Sequence, residues 1–147
     1  MLGSVLEKKC LDFSIKVVQL AKELHGSRES IIAKQLLRSA TSIGANVAEA
    51  THAQSKPDWY AKLKIADKEA AESAYWIKIL RGADYISKER FFELHSDIIQ
   101  IIRIIGASCK TYLVNEKEKQ SKAKQQNKIK PETRYEPKQD IDKTKYR

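Results

Sequence analysis

Apolar residues recur three or four positions apart through most of the first 113 residues, the spacing that gathers them on one face of an α-helix turning about 100° per residue. Four segments follow this rule. The first spans about Ser4 to Leu24, with Leu11, Ile15, Val18 and Ala21 or Lys22 as its core line. Ser4-x-x-Glu7 fits a capping box, and Gly26 suits the left-handed position after a helix end. The second spans about Arg28 to Gln54, with Leu36, Ala40, Ile43, Val47 and Ala50 facing inward. The third opens at Ser55-Lys56-Pro57-Asp58, which supplies a cap, a first-turn proline and an acid at the positive helix end. Its core line is Trp59, Leu63, Ala66, Ala70, Ser73 or Ala74, Ile77 and Leu80, and Gly82 closes it. The fourth is capped by Ser87 and reaches about Leu113. Phe91, Leu94, His95, Ile98, Ile101, Ile102, Ile105, Cys109 and Tyr112 form one broad face, which Phe92 and Ile99 widen.

The second segment carries more than a core line. Arg38, Ser42, Asn46 and Glu49 form a polar stripe, and Ala33, Leu37, Thr41, Gly44 and Ala48 form a flat, small-residue face. A surface helix needs only one apolar face, so this helix is expected to have partners on more than one side. Leu37, Thr41, Gly44 and Ala48 are the candidate contact between copies of the chain. Gly44 costs the helix about 1 kcal/mol relative to alanine, which a close helix contact would justify.

Short connections make successive helices antiparallel neighbours. The expected fold is all-α: an up-down-up-down antiparallel four-helix bundle over residues 1–114, followed by a basic tail over 115–147. The tail is rich in Lys and Gln, lacks a sustained apolar period, and is expected to be disordered or partly helical. It holds 11 Lys or Arg against 6 Asp or Glu, a net +5 of the chain's +9, which leaves +4 for the bundle. Such an excess suits an anionic partner, RNA or DNA backbone above all, as well as simple solubility. No apolar run approaches a membrane span and no secretory leader is visible, so a cytoplasmic protein is expected. Cys10 and Cys109 form no redox or metal motif and read as reduced, packing thiols.

No metal set, phosphate loop or nucleophile elbow is present, and no cofactor or catalytic residue is expected. Arg90-x4-His95 resembles the motif of HEPN-class ribonucleases, but Phe91 is apolar where those enzymes carry a polar residue, and His95 lies on the apolar face. The candidate phosphate contacts are Lys34, Arg38, Lys56, Lys62 and Lys64, within a wider basic set that includes Lys78, Arg81, Arg103 and Lys110. Arg38, Ser42, Asn46, Glu49 and Glu72 are expected to form a polar network between helices or subunits.

Arg38, Ala40, Ser42, Ile43, Asn46, Val47, Ala48, Glu49 and Ala50, with Trp59 or Tyr60, Leu63, Ile65, Ala66 and Glu72 and then Tyr85-Ile86-Ser87, resemble the hallmark segments of the 23S rRNA intervening-sequence protein family. The likeness covers residues of about 5–114. Ala50 replaces the family's usual glycine, so the second helix is expected to run smoothly past it, and Trp59-Tyr60 replaces a commoner phenylalanine. The resemblance implies a helical bundle assembling as a ring-like homo-oligomer, typically a pentamer. It also implies a likeness to the basic, nucleic-acid-binding accessory protein of diversity-generating retroelements. The function expected is a non-enzymatic oligomeric scaffold binding nucleic-acid backbone with little sequence preference. The alternative is a protein-interaction adaptor without nucleic acid, and a HEPN-like ribonuclease is the third reading.

Overall fold

A computed structural model describes residues 2–25 and 30–129. All regular structure among them is helical: α1 (Leu2–Leu24), α2 (Ser30–Thr51), α3 (Lys56–Gly82) and α4 (Lys88–Ile129). Gly26 and Arg28, expected at the end of the first helix and the start of the second, lie outside the described residues, as does the chain from residue 130. By its internal contacts the chain divides into Met1–Val114 and Asn115–Arg147.

Local chemistry explains most helix ends. Ser55 is extended, at φ −155° and ψ 164°, and its side chain accepts the Asp58 N–H at 3.2 Å. The Asp58 carboxylate in turn accepts the Gln54 N–H at 3.1 Å. Ser87 accepts the Arg90 N–H at 3.1 Å and so caps α4. After Gly82 the left-handed residue is Asp84, at φ 59°, whose carboxylate holds Arg81 at 3.0 Å. Asp is one of the few side chains that tolerate that region. Two ends differ from expectation. α1 opens at Leu2, so Ser4 lies inside the helix and cannot be its cap, a position that needs non-helical backbone. α4 continues past Leu113 to Ile129. Residues 114–129 contain no Gly or Pro and consist largely of Lys, Glu and Gln, so the helix outlasts its apolar period.

Within the first unit, cross-helix pairs fix the neighbours. Ser14 Oγ donates to the Ala40 carbonyl at 3.1 Å across α1 and α2. Between α2 and α3, Ser39 and Ser73 share a buried hydroxyl hydrogen bond of 2.8 Å, while Glu49 meets Lys62. Between α1 and α4, Lys9 donates to Gln100 at 2.8 Å, Lys16 meets Asp97 and Glu93 at 2.7 and 2.9 Å, and Glu23 meets Arg90 at 3.6 Å. Tyr60 of α3 stacks on Tyr112 of α4 with centroids 4.7 Å apart. In the α2–α3 and α1–α4 sets the contacts descend along one helix as they climb the other.

The core line of α2 is as expected, with Ala33 added, and that of α3 differs only in leaving Trp59 half-buried. On α4, Leu94, Ile98, Ile101, Ile105 and Cys109 are buried, with Phe91, His95, Ile102 and Tyr112 half-buried beside them. The α1 expectation is corrected. The buried line is Leu6, Cys10, Phe13, Val17, Leu20 and Leu24, whereas Leu11 and Ile15 are 60% and 47% exposed. α1 carries two apolar stripes, and the helix turns the longer one inward.

Candidate functional site

The polar residues of α2 do not form one network. Arg38 lies between two carboxylates of α3: it pairs with Glu72 and lies 3.6 Å from Glu69. Glu72 also accepts the Trp76 indole N–H at 3.0 Å. Asn46 turns back on its own helix, donating to the Ser42 carbonyl at 2.9 Å and its hydroxyl at 3.3 Å. Glu49 belongs to Lys62. The five expected members therefore fall into three separate groups. Only the Arg38 and Glu49 groups bridge helices. The buried Ser39–Ser73 pair sits one step off the polar stripe and was not legible in it.

The Trp76 and Arg38 hydrogen bonds hold the Glu72 carboxyl below its ordinary value of 4.5. A carboxyl with a lowered folded pKa contributes stability fully above that ordinary value and loses it as pH falls through the lowered one. Glu72→Gln is therefore expected to melt lower than the parent at about pH 7, with the gap narrowing toward about pH 3. Thermal unfolding at the two pH values checks this, and a constant gap would remove the charge from the explanation.

The candidate phosphate contacts divide in the same way. Arg38 and Lys62 are paired as above, and Lys64 holds Asp67 at 2.6 Å. Lys34 and Lys56 are exposed and make no ion pair among the described residues. Three of the five are thus already answered by a carboxylate in surface pairs, which a phosphate would have to share or displace.

The flat face of α2 looks partly outward and partly toward α1. Thr41 and Ala48 are exposed and Leu37 is half-buried. Gly44 faces α1 of the same chain: a Cβ there would lie 3.6 Å from Cys10 Cβ and 3.8 Å from Ser14 Oγ. Beside this face runs the outer stripe of α1, where Leu11 and Ile15 continue into half-buried Val18. A groove of about 400 Å³ lies between the two helices, floored by Val18, Ala21, Ala33 and Leu37 and edged by Lys22, His25 and Lys34.

Arg90 meets Glu23 at 3.6 Å and Glu93 at 3.5 Å, and the His95 ring stacks on Phe91 at 5.0 Å. The Arg90 guanidinium thus lies between two carboxylates, and the His95 imidazole lies flat on an apolar ring. Cys10 and Cys109 are both free and buried; burial pushes the Cys10 thiol up to about 12, far from a reactive thiolate. Among the described residues no three His, Cys, Asp or Glu side chains are grouped to hold a metal ion. No described helix is long and apolar enough to cross a membrane.

A family model described as 23S rRNA-intervening sequence protein matches residues 5–107. The fold is similar to the crystal structure of a protein of unknown function from the S23 ribosomal protein family of Bacteroides thetaiotaomicron. The two are 39% identical with a TM-score of 0.72, and the likeness covers 75% of this chain and 99% of that one. No curated protein matches the chain.

Proposed function

This chain belongs to the 23S rRNA-intervening sequence protein family, and from that premise we propose that it is a non-enzymatic scaffold. Its copies associate along the outward face of α1 and α2, and the assembly holds nucleic-acid backbone. The observation that carries this reading is the exposed stripe of Leu11 and Ile15. The stripe keeps helical spacing into Val18, which with Ala21, Ala33 and Leu37 floors the groove against α2, while Lys9, Asp12 and Lys16 border Ile15 on its other side. The small side chains on α2 let another helix approach closely. The matching occupant is a second copy, in keeping with the ring-like homo-oligomer that the family resemblance implies. Repetition around such an assembly multiplies each exposed lysine, so a modest excess of charge on one bundle becomes a many-phosphate contact whose strength falls steeply with salt.

Light scattering with and without nuclease treatment tests both halves. The parent is expected to run as several subunits carrying nuclease-sensitive material. Leu11→Glu combined with Ile15→Glu should reduce it to a single subunit with its helical circular dichroism retained. A monomeric parent would overturn the assembly. A co-purifying protein that survives nuclease treatment would replace the nucleic-acid half with an adaptor role.

A further inference from the structure

The outward face of α4 differs from the basic surfaces of α2 and α3. Phe92, Ser96, Ile99, Arg103, Ala107 and Lys110 succeed one another at three or four residues, so they share a band of about 80° on the helix. All are exposed except Ile99, which is half-buried. From Phe92 to Lys110 no carboxylate falls in that band, and exposed Glu89, one turn before Phe92, stands at its edge. Arg103 and Lys110 make no ion pair among the described residues, in contrast to Arg38, Lys62 and Lys64. Phe92 is 57% exposed, and the Lys88 ammonium one turn earlier lies 5.8 Å from its ring centroid. Gly106 adjoins the band, and a Cβ placed there would meet nothing within 4 Å, so the surface between Arg103 and Lys110 is low and open.

We infer that this face of α4 binds single-stranded nucleic acid, with Arg103 and Lys110 taking phosphates and Phe92 offering a ring on which a base stacks in place of the Lys88 ammonium. The inference rests on the nucleic-acid half of the reading above and moves the contact away from the α2 and α3 lysines. Three features carry it together. The cations on this face carry no carboxylate that a phosphate would have to displace. Arg103 and Lys110 stand seven residues apart, about 10 Å along the axis, so they can reach separate phosphates of one strand. An exposed aromatic ring can stack only on a base whose face is open, which a single strand provides and a duplex does not. No side chain here reads base edges, so little sequence preference is expected.

Binding of fluorescein-labelled oligothymidylate at low salt, followed by anisotropy on the full chain, tests the assignment. Arg103→Glu combined with Lys110→Glu is expected to weaken binding by on the order of tenfold or more. Phe92→Ala should weaken it by about fivefold or more while leaving a duplex of the same length unaffected. Lys62→Gln combined with Lys64→Gln should change affinity by less than about twofold. These side chains are exposed or surface-paired, so circular dichroism should match the parent in every case. If the parent binds and the α4 variants bind equally well, this inference fails alone. If the parent binds no nucleic acid, it fails together with the reading it rests on. Capture of anionic phospholipid vesicles, lost in the same variants and without oligonucleotide binding, would overturn it in favour of a membrane surface.

Discussion

Phe13→Ala is expected to lower the unfolding free energy by about 3–5 kcal/mol, the loss typical of emptying a large buried aromatic site. Phe13 is fully buried, in the middle of the line from Leu6 to Leu24 that α1 turns toward the other helices. Its neighbours along that line cannot collapse into the space without shifting α1 as a whole, so a cavity term adds to the lost transfer energy. Leu11→Ala, two residues away in sequence, should behave differently. Leu11 lies on the outer stripe, so the subunit itself should lose no more than about 0.5 kcal/mol. Any further loss should grow with protein concentration, because it arises between copies. Urea unfolding of both variants at two concentrations makes the comparison. Equal losses, or a larger one at Leu11, would show that the two stripes of α1 are assigned to the wrong sides.

The same pair shows where sequence reading worked and where it stopped. α2 and α3 each have one well-defined apolar line, and periodicity alone selects it: Leu36, Ala40, Ile43, Val47 and Ala50 on α2, and Leu63 through Leu80 on α3. On α1 the period is satisfied twice. Leu11, Ile15 and Val18 keep helical spacing as faithfully as Cys10, Phe13 and Val17, and spacing cannot say which side meets the bundle. Length could have said so, because only the second line persists from Leu6 to Leu24. The polar stripe of α2 was visible, but its division was not. Arg38 is claimed by Glu69 and Glu72, and Glu49 by Lys62, because the register of α3 against α2 sets which charges meet. That register is a property of packing rather than of either helix. α4 passed beyond its expected end for a simpler reason: helix propensity persists in Lys, Glu and Gln after apolar spacing ends.

Gly44 separates a contact within the chain from one between chains. In this fold its Cα faces Cys10 and Ser14 of α1, and a methyl group there would sit at ordinary contact distance, 3.6 and 3.8 Å from its neighbours. Gly44→Ala should therefore fit without displacement and recover up to about 1 kcal/mol of helix propensity. Gly44→Leu adds three more carbons where only the first has room. They must push against Cys10 or Ser14 and move α1 off α2, at a cost of about 1–3 kcal/mol. Because that cost arises inside one subunit, the shift in the urea midpoint should be the same at low and high protein concentration. Stabilisation by alanine with destabilisation by leucine, both independent of concentration, would identify Gly44 as the spacer that sets how closely α1 and α2 pack. A leucine effect that disappears on dilution would move Gly44 to the surface between copies. Leu37, Thr41 and Ala48 would then carry less of that contact than their exposure suggests.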